Sequence, residues 1–71
     1  MVVGLKQSKK AVEAGNASLA HVAFDADSEV VEPFLTLCRQ MNVTVERNCD
    51  MKELGKRCKV EVPTAVAVVT I

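Results

Sequence analysis

The hydrophobic pattern of the first sixteen residues predicts a short strand followed by an amphipathic helix. Val2 and Val3 are typical of the end of a strand, and a helix is expected from Gly4 to about Ala14. The side chains expected on the inner face of this helix are Leu5, Ser8, Ala11 and Val12, and those expected away from it are Lys6, Gln7, Lys10 and Glu13. The pair Gly15 and Asn16 is a stop signal for the helix.

The segment "LAHVAF", residues 19–24, is a nearly unbroken apolar run of strand length. Such a run predicts a strand that is covered on both faces. His21 lies within it and is expected to be a core histidine with a satisfied ring nitrogen. The following "DAD" is expected to form a loop.

A second helix is predicted after this loop, with Ser28 as its capping residue. Pro33 has no backbone N–H, so the helix is expected to bend or to begin again there. One apolar stripe is predicted to face the core and not a cofactor, and it contains Val30, Phe34, Leu37, Cys38 and Met41.

The last third of the chain repeats the order of strand, helix and strand. Residues 43–46 alternate like a half-buried strand, and Asp50 with Glu53 resembles a capping box that begins a helix over residues 51–58. A loop containing Pro63 and a final apolar strand, "AVAVVTI", follow. The alternation predicts a layered α/β sandwich around a small mixed sheet of about four strands.

Composition narrows the class of protein. The chain has 71 residues, of which 49% are hydrophobic and 25% are charged, as expected of one globular domain. Phe24 and Phe34 are the only aromatic residues, which predicts an aliphatic core. Their scarcity also argues against an RNA-binding protein of the kind that stacks bases on aromatic side chains.

Charge is balanced overall but grouped along the chain. The formal net charge is zero, and the basic residues form two blocks: Lys6, Lys9 and Lys10, and then Lys52, Lys56, Arg57 and Lys59. An acidic stretch lies between them and contains Asp25, Asp27, Glu29 and Glu32. The two basic blocks could converge on one face with the acidic residues turned elsewhere, but the sequence alone does not establish that they do.

Signals for catalysis, metal binding or membrane insertion are weak. The chain has no glycine-rich phosphate loop, no nucleophile elbow and no apolar run near the roughly 20 residues of a membrane span. Three cysteines without CxxC spacing, preceded by no secretory signal, indicate a reduced, cytoplasmic protein. We therefore expect neither an enzyme nor a protein that holds a metal or another cofactor.

The first helix carries the most informative surface. Its N-terminus can receive a phosphate, and Gly4 allows the protein backbone to approach a ligand closely. The side chains of Lys6, Gln7 and Lys10 can form hydrogen bonds with the edges of bases. Spacing alone leaves open the alternative that this is only a solvated helix face.

Three segments, "VVGLKQSKKAVEAGNA", "VAFDAD" and "MKELGKRCKVEVPTAVAVV", resemble the kink-turn-binding ribosomal protein family, the L-seven-Ae family. Within it, the small bacterial YbxF-like branch is the most similar. The resemblance extends over the whole chain and implies a three-layer α/β/α sandwich that binds RNA kink-turns, which are sharp bends built on tandem sheared G·A pairs.

The resemblance also implies two sets of RNA-binding residues. The first matches the element of the family that contacts guanine edges and nearby backbone, and it consists of Gly4, Lys6, Gln7 and Lys10. The second matches the loop that covers a flipped-out nucleotide with apolar contacts, and it consists of Val60, Glu61, Val62, Pro63 and Ala65. The implied partners are a kink-turn in ribosomal RNA or in a riboswitch, and the ribosome.

The chain departs from the family in two places. Members usually carry a further helix before the first strand, so we expect one RNA-binding domain over residues 1–71 that lacks that helix. Lys59 stands where many relatives have glycine, so the loop is expected to enter at another angle or to carry left-handed strain. An alternative function is a protein-interaction module of the same fold that has lost affinity for RNA and docks through its acidic helix.

Overall fold

Four strands and three helices alternate along the chain, and the computed structural model describes all residues 1–71. The strands are β1 (Val2–Val3), β2 (Ala17–Val22), β3 (Thr44–Glu46) and β4 (Val66–Thr70), and the helices are α1 (Leu5–Glu13), α2 (Ser28–Gln40) and α3 (Met51–Arg57). The sheet has the order β1-β4-β2-β3. β4 is antiparallel to β1 and β2, and β2 is parallel to β3. The predicted small mixed sheet is therefore confirmed.

The helices form layers on both faces of this sheet. The larger buried cluster lies between the sheet and the first two helices and consists of Val12, Ala20, Val22, Val31, Phe34, Cys38, Val66 and Val68. The smaller cluster, around α3, consists of Ala23, Cys49, Leu54 and Ala67. Ala67 alternates with Val66 and Val68 along β4, so α3 covers the opposite face. The core is aliphatic as predicted, except for Phe34.

The second strand ends earlier than the apolar run predicts. β2 stops at Val22, and the side chain of Phe24 is 59% exposed. Val22 pairs with Val66, the first residue of β4, and His21 pairs with Glu46, the last residue of β3. No strand residue therefore remains for Phe24 to pair with. Burial on both faces is limited to the second half of the strand.

His21 is buried as predicted, but one of its ring nitrogens is unsatisfied. Nδ1 makes no hydrogen bond, and the nearest carboxylate oxygen, Oε2 of Glu46, lies 3.8 Å away. The expectation of a satisfied ring nitrogen is wrong for Nδ1. The residue that pairs with His21 on the parallel strand is Glu46, and its half-exposed carboxylate lies too far from Nδ1 for a hydrogen bond.

The second helix differs from the prediction at its start. Its capping residue is Asp27 and not Ser28, because the carboxylate of Asp27 accepts a hydrogen bond from the N–H of Glu29 at 2.9 Å. The helix does not begin again at Pro33 but continues to Gln40. Proline removes a single hydrogen bond there, and Val31 and Phe34 on either side are buried against the sheet.

The apolar stripe of α2 is rotated by one residue at its start. Val31 is buried and packs with Phe34 and Cys38, whereas Val30 is 45% exposed. Two adjacent valines satisfy the same helical period, so the pattern alone does not decide which of them faces the sheet. Met41, also predicted in the stripe, is 42% exposed because it follows the end of the helix.

All three helices end in the same hydrogen-bonded turn, the Schellman motif. Its left-handed position is occupied by Gly15 after α1, Asn42 after α2 and Lys59 after α3, with φ of 74°, 57° and 59°. After α3, Lys59 donates to the carbonyl of Lys56 at 3.1 Å and Val60 donates to that of Gly55 at 3.0 Å. Of the two alternatives for Lys59, the structure therefore shows left-handed backbone strain.

Replacing Lys59 with glycine should stabilise the protein. The left-handed region costs an L residue roughly 1–2 kcal/mol, and the greater entropy of glycine in the unfolded chain offsets part of that gain. We expect Lys59→Gly to raise the free energy of unfolding by about 1 kcal/mol and the thermal midpoint by about 4–8 °C. Gly15→Ala, at the equivalent turn, is the control and should lower both. An unchanged or lowered midpoint for Lys59→Gly would contradict the strain.

Candidate nucleic-acid interface

The predicted site residues meet at one end of the sheet. β1, β2 and β3 finish at this end and β4 begins there, because β4 is antiparallel to its two neighbours. We call it the carboxyl edge and define it by Gly4 and residues 23–27, 47–50 and 58–65. All three helices begin at this edge, and the loop before β4 returns to it.

Gly4 joins β1 to α1 in a conformation that favours glycine. Its φ is 96° and its ψ is 151°, and its N–H donates to the carbonyl of Val66 at 3.0 Å. No side chain caps α1, and its first turn contains no acidic residue. The first backbone N–H groups of α1 are therefore free to bind an anion.

The outer face of α1 presents the three predicted polar contacts. Lys6, Gln7 and Lys10 are exposed, and Lys6 and Gln7 lie in the first turn beside Gly4. Ser8, on the inner face, is fully buried, and its hydroxyl lies 3.5 Å from the carbonyl of Val2. This contact and the buried Val12 fix the rotation of the helix, so the polar face points outward.

The loop before β4 forms one wall of an open groove against α3. The cavity measures about 480 Å³ and is lined by Lys52, Lys56, Val60, Glu61, Val62 and Pro63. Val62 is 65% exposed, so it does not belong to the core. Two backbone hydrogen bonds hold the loop against α3. The N–H of Thr64 donates to the carbonyl of Met51 at 3.0 Å, and the N–H of Val60 donates to the carbonyl of Gly55 at 3.0 Å.

Gly55 allows the loop to pack directly against α3. A Cβ atom at this position would overlap the backbone carbonyl oxygen of Val62. The residue is buried in the middle of a seven-residue helix. Glycine is therefore required for the close approach of helix and loop, and the shape of the groove depends on it.

The two basic blocks do not converge on a single face. α1 and α3 lie on opposite faces of the sheet, so their lysines approach the carboxyl edge from two sides. Asp25 and Asp27 are not turned away from it either, because they lie in the turn between β2 and α2. Asp25 accepts a hydrogen bond from the N–H of Met51 at 2.8 Å, and Asp27 caps α2. These two carboxylates therefore accept hydrogen bonds from the first turns of α3 and α2.

The third helix has the predicted cap. The carboxylate of Asp50 accepts a hydrogen bond from the N–H of Glu53 at 2.7 Å. The reciprocal bond of a capping box is not formed, since the side chain of Glu53 lies 3.7 Å from the guanidinium of Arg57. The cap and the contact from Asp25 fix the start of α3, where Lys52 reaches the groove.

The cysteines contribute no reactive group to this edge. Cys38, Cys49 and Cys58 are free, and burial raises the pKa of each thiol. They are therefore protonated at neutral pH. No group of three or more potential metal ligands is clustered, and no helix has the length and hydropathy that a membrane crossing requires. The carboxyl edge offers hydrogen bonds, positive charge and apolar contact.

A family model, the ribosomal protein L7Ae/L30e/S12e/Gadd45 family, matches residues 1–71 of this chain. The chain belongs to this family. The resemblance found in the sequence is thereby confirmed. An RNA-binding protein of Geobacillus thermodenitrificans is 35% identical over 69 residues, which cover 97% of this chain and 84% of that protein. The RNA-binding protein YbxF of Geobacillus stearothermophilus is 36% identical over the same share of both chains.

Two solved structures share the fold. A 15.5kD RNA binding protein of Giardia lamblia has a TM-score of 0.89 and 33% sequence identity and is matched over 97% of this chain. The chain spans 58% of the length of that protein. A Bacillus halodurans protein of unknown function has a TM-score of 0.88 at 23% identity, which shows the fold alone.

The structure adds residues to the site that lie outside the two RNA-binding sets implied by the family resemblance. Lys52 and Lys56 are four residues apart on α3 and line the groove beside Val62. Their helical spacing was a usable signal, since residues four apart share a face. Gly55 had no such signal, because its role depends on a loop that packs against it only in the folded protein.

Gly55→Ala should displace the loop. The added methyl group overlaps the backbone of Val62, so we expect a loss of about 1–3 kcal/mol in the free energy of unfolding. The largest amide chemical-shift changes should fall on residues 60–64. Lys9→Ala, an exposed residue of α1 on the opposite face of the sheet, is the control and should change neither quantity. A Gly55→Ala variant with unchanged shifts in the loop would show that this close approach does not exist.

Proposed function

We propose that this protein binds kink-turn RNA through its carboxyl edge and is not an enzyme. The observation that carries the proposal is the meeting of two different surfaces at one edge: the uncapped start of α1 and the apolar loop at the groove. Relatives across most of the chain are RNA-binding proteins by name, which supports RNA as the ligand.

The start of α1 supplies polar contacts to a bent RNA. Its free backbone N–H groups and the N-terminal end of the helix dipole favour a phosphate. Lys6 and Gln7 extend from the same turn, where an ammonium donates to guanine O6 and N7 and an amide pairs with a base edge. Lys10 lies one turn further along and is placed to contact backbone phosphate.

The loop of residues 60–63 supplies apolar cover. Val62 and Pro63 are exposed at the groove, where an unstacked nucleotide from a sharp bend can lie against them. Lys52 and Lys56 line the same groove and suit the phosphates that flank such a nucleotide. Glu61 is exposed beside them and can accept hydrogen bonds from base amino or ribose hydroxyl groups.

Recognition in this proposal depends on the shape of the RNA. A straight duplex has no bend with which to contact both the α1 start and the loop, whereas a kinked RNA brings its backbone and an unpaired nucleotide together. The protein stabilises the kinked state by binding it preferentially. The backbone hydrogen bonds of Gly4, Val60 and Thr64 fix both surfaces before binding, which lowers the ordering cost.

The proposal also covers the cellular location of the protein and the source of its RNA ligand. Three free cysteines suit a reducing compartment, so we propose a cytoplasmic location. A kink-turn in ribosomal RNA or in a riboswitch has the required shape, and association with the ribosome follows if the first of these is the ligand. The family model that matches the chain includes ribosomal proteins by name.

Lys6→Ala and Gln7→Ala test the α1 surface directly. Each should cost about 1–3 kcal/mol of kink-turn affinity, the usual energy of a good base-edge contact. Isothermal titration calorimetry against one kink-turn RNA measures this loss. Lys9→Ala is the matched control, since it removes an exposed lysine of the same helix that is outside the predicted contact set.

Salt dependence separates base contacts from phosphate contacts in the same series. Lys10→Ala should weaken binding and reduce the log–log salt slope by roughly one unit at most, as expected for one phosphate contact. The proposal for this face is wrong if neither Lys6→Ala nor Gln7→Ala changes the affinity.

Val62→Asp tests the loop. A carboxylate at this position removes apolar cover and approaches the phosphates, so RNA affinity should fall at least tenfold. The thermal midpoint should stay near that of the parent, because Val62 is 65% exposed. Met41→Asp, at the other end of the sheet and 42% exposed, is the control that should bind normally. Retained binding by Val62→Asp would remove the loop from the interface.

A further inference from the structure

Phe24 is an exposed aromatic side chain at the carboxyl edge that the proposed contacts leave unused. It is 59% exposed and belongs to neither buried cluster. It follows Ala23, whose N–H donates to the carbonyl of Ala65 at 2.8 Å. The next carbonyl along β4, that of Val66, accepts the N–H of Gly4. Phe24 therefore lies at the same edge as the start of α1 and the loop before β4.

The backbone around Phe24 is fixed from several sides. The N–H of Phe24 donates to the carbonyl of Cys49 at 3.0 Å, and the carboxylate of Asp25 accepts the N–H of Met51. Asp27, three residues later, caps α2. A short turn tied to β4, to α3 and to α2 cannot swing the aromatic ring into the core. The fold thus fixes an exposed apolar ring at the edge where the proposed RNA contacts lie, so the ring is available to a flat ligand group without a change of backbone.

The surroundings of Phe24 define what can cover it. Asp25 and Asp27 lie in the same turn as Phe24, and their carboxylates place negative charge at this part of the edge, which disfavours a phosphate there. A nucleic-acid base is flat and uncharged and stacks on an aromatic ring, and such stacking tolerates every base. The lysines of α1 and α3 approach this edge from the two faces of the sheet and can hold the backbone of the same RNA.

We propose that Phe24 is a stacking platform for one unpaired base of the bound RNA. This inference rests on the proposed function and extends it, because it adds an aromatic contact to a protein with only two aromatic residues. Phe34, the other one, is buried in the core and takes no part. The scarcity of aromatic residues therefore does not exclude stacking, since one platform at the binding edge is sufficient for one base.

Tryptophan fluorescence gives a direct test, because the chain contains no Trp and no Tyr. Phe24→Trp places a single tryptophan on the platform, and stacking against a base should quench its emission when a kink-turn RNA with unpaired nucleotides is added. Met41→Trp is the matched control. Met41 is an exposed apolar residue at the opposite end of the sheet, and its emission should change little.

Substitution of single unpaired nucleotides by abasic sites identifies the stacked base. The quenching should disappear for one position and persist for the others. In parallel, Phe24→Ala should lower the affinity about five- to one-hundred-fold, as for loss of one stacked base. Phe24→Leu keeps the apolar bulk but has no π face, so its affinity should fall nearly as far as that of Phe24→Ala. Phe24→Tyr keeps the ring and should bind like the wild-type protein.

The outcomes separate this inference from the proposed function. The platform is refuted if the wild-type protein binds kink-turn RNA while Phe24→Trp is not quenched and Phe24→Ala binds normally. It is equally refuted if Phe24→Ala changes only the elution volume in size-exclusion chromatography, since the ring then contacts a second copy of the chain. If the wild-type protein does not bind kink-turn RNA at all, the proposed function fails and the platform with it.

Discussion

Two adjacent carbonyl groups at the start of β4 hold the site together. The carbonyl of Ala65 accepts the N–H of Ala23, and that of Val66 accepts the N–H of Gly4. One hydrogen bond thus fixes the end of β2, and the other fixes the residue from which α1 begins. Because β4 lies between β1 and β2 in the sheet, the loop that precedes it must reach the edge between these two points. Everything proposed for the carboxyl edge depends on this pairing.

The elements of the fold were largely predictable because their signals are local. Each signal depends only on residues a few positions away in the chain. Examples are the helical spacing of residues 5–13, the glycine after α1 and the Asp50 cap before α3. The errors arose where two neighbouring residues satisfy the same rule. Asp27 and Ser28 can both cap a helix, and Val30 and Val31 can both begin an apolar stripe. Tertiary packing decides between them, and the sequence pattern contains no information on that packing.

The site was predictable only in part, for a related physical reason. Exposure of Lys6, Gln7 and Lys10 follows from the period of α1, but the position of the loop beside α3 requires Gly55, whose role appears only when the two segments meet. Phe24 was misplaced in a strand because the apolar run continues past Val22, where the pairing partners on both sides end. The features missed are therefore those created by contacts between distant segments.

The charge pattern of this edge has a consequence for selectivity. The carboxylates of Asp27 and Asp50, which cap α2 and α3, lie at the same edge as the start of α1, and the whole chain has no net charge. A protein of this kind has a weak overall attraction for nucleic acid, so in the proposed function the affinity comes from contacts that a particular RNA shape brings into register. Discrimination between bent and straight RNA should therefore exceed that of a strongly basic protein.

The most direct measurement compares two RNAs that differ only in their ability to kink. One contains the tandem G·A pairs and unpaired nucleotides, and the other replaces them with a continuous Watson–Crick duplex of the same length. Competition binding at a fixed salt concentration should favour the kinked RNA by about 10³-fold or more, within the usual range of specific over non-specific binding. Equal affinity for both RNAs, or binding to neither, would contradict recognition of RNA shape by the carboxyl edge.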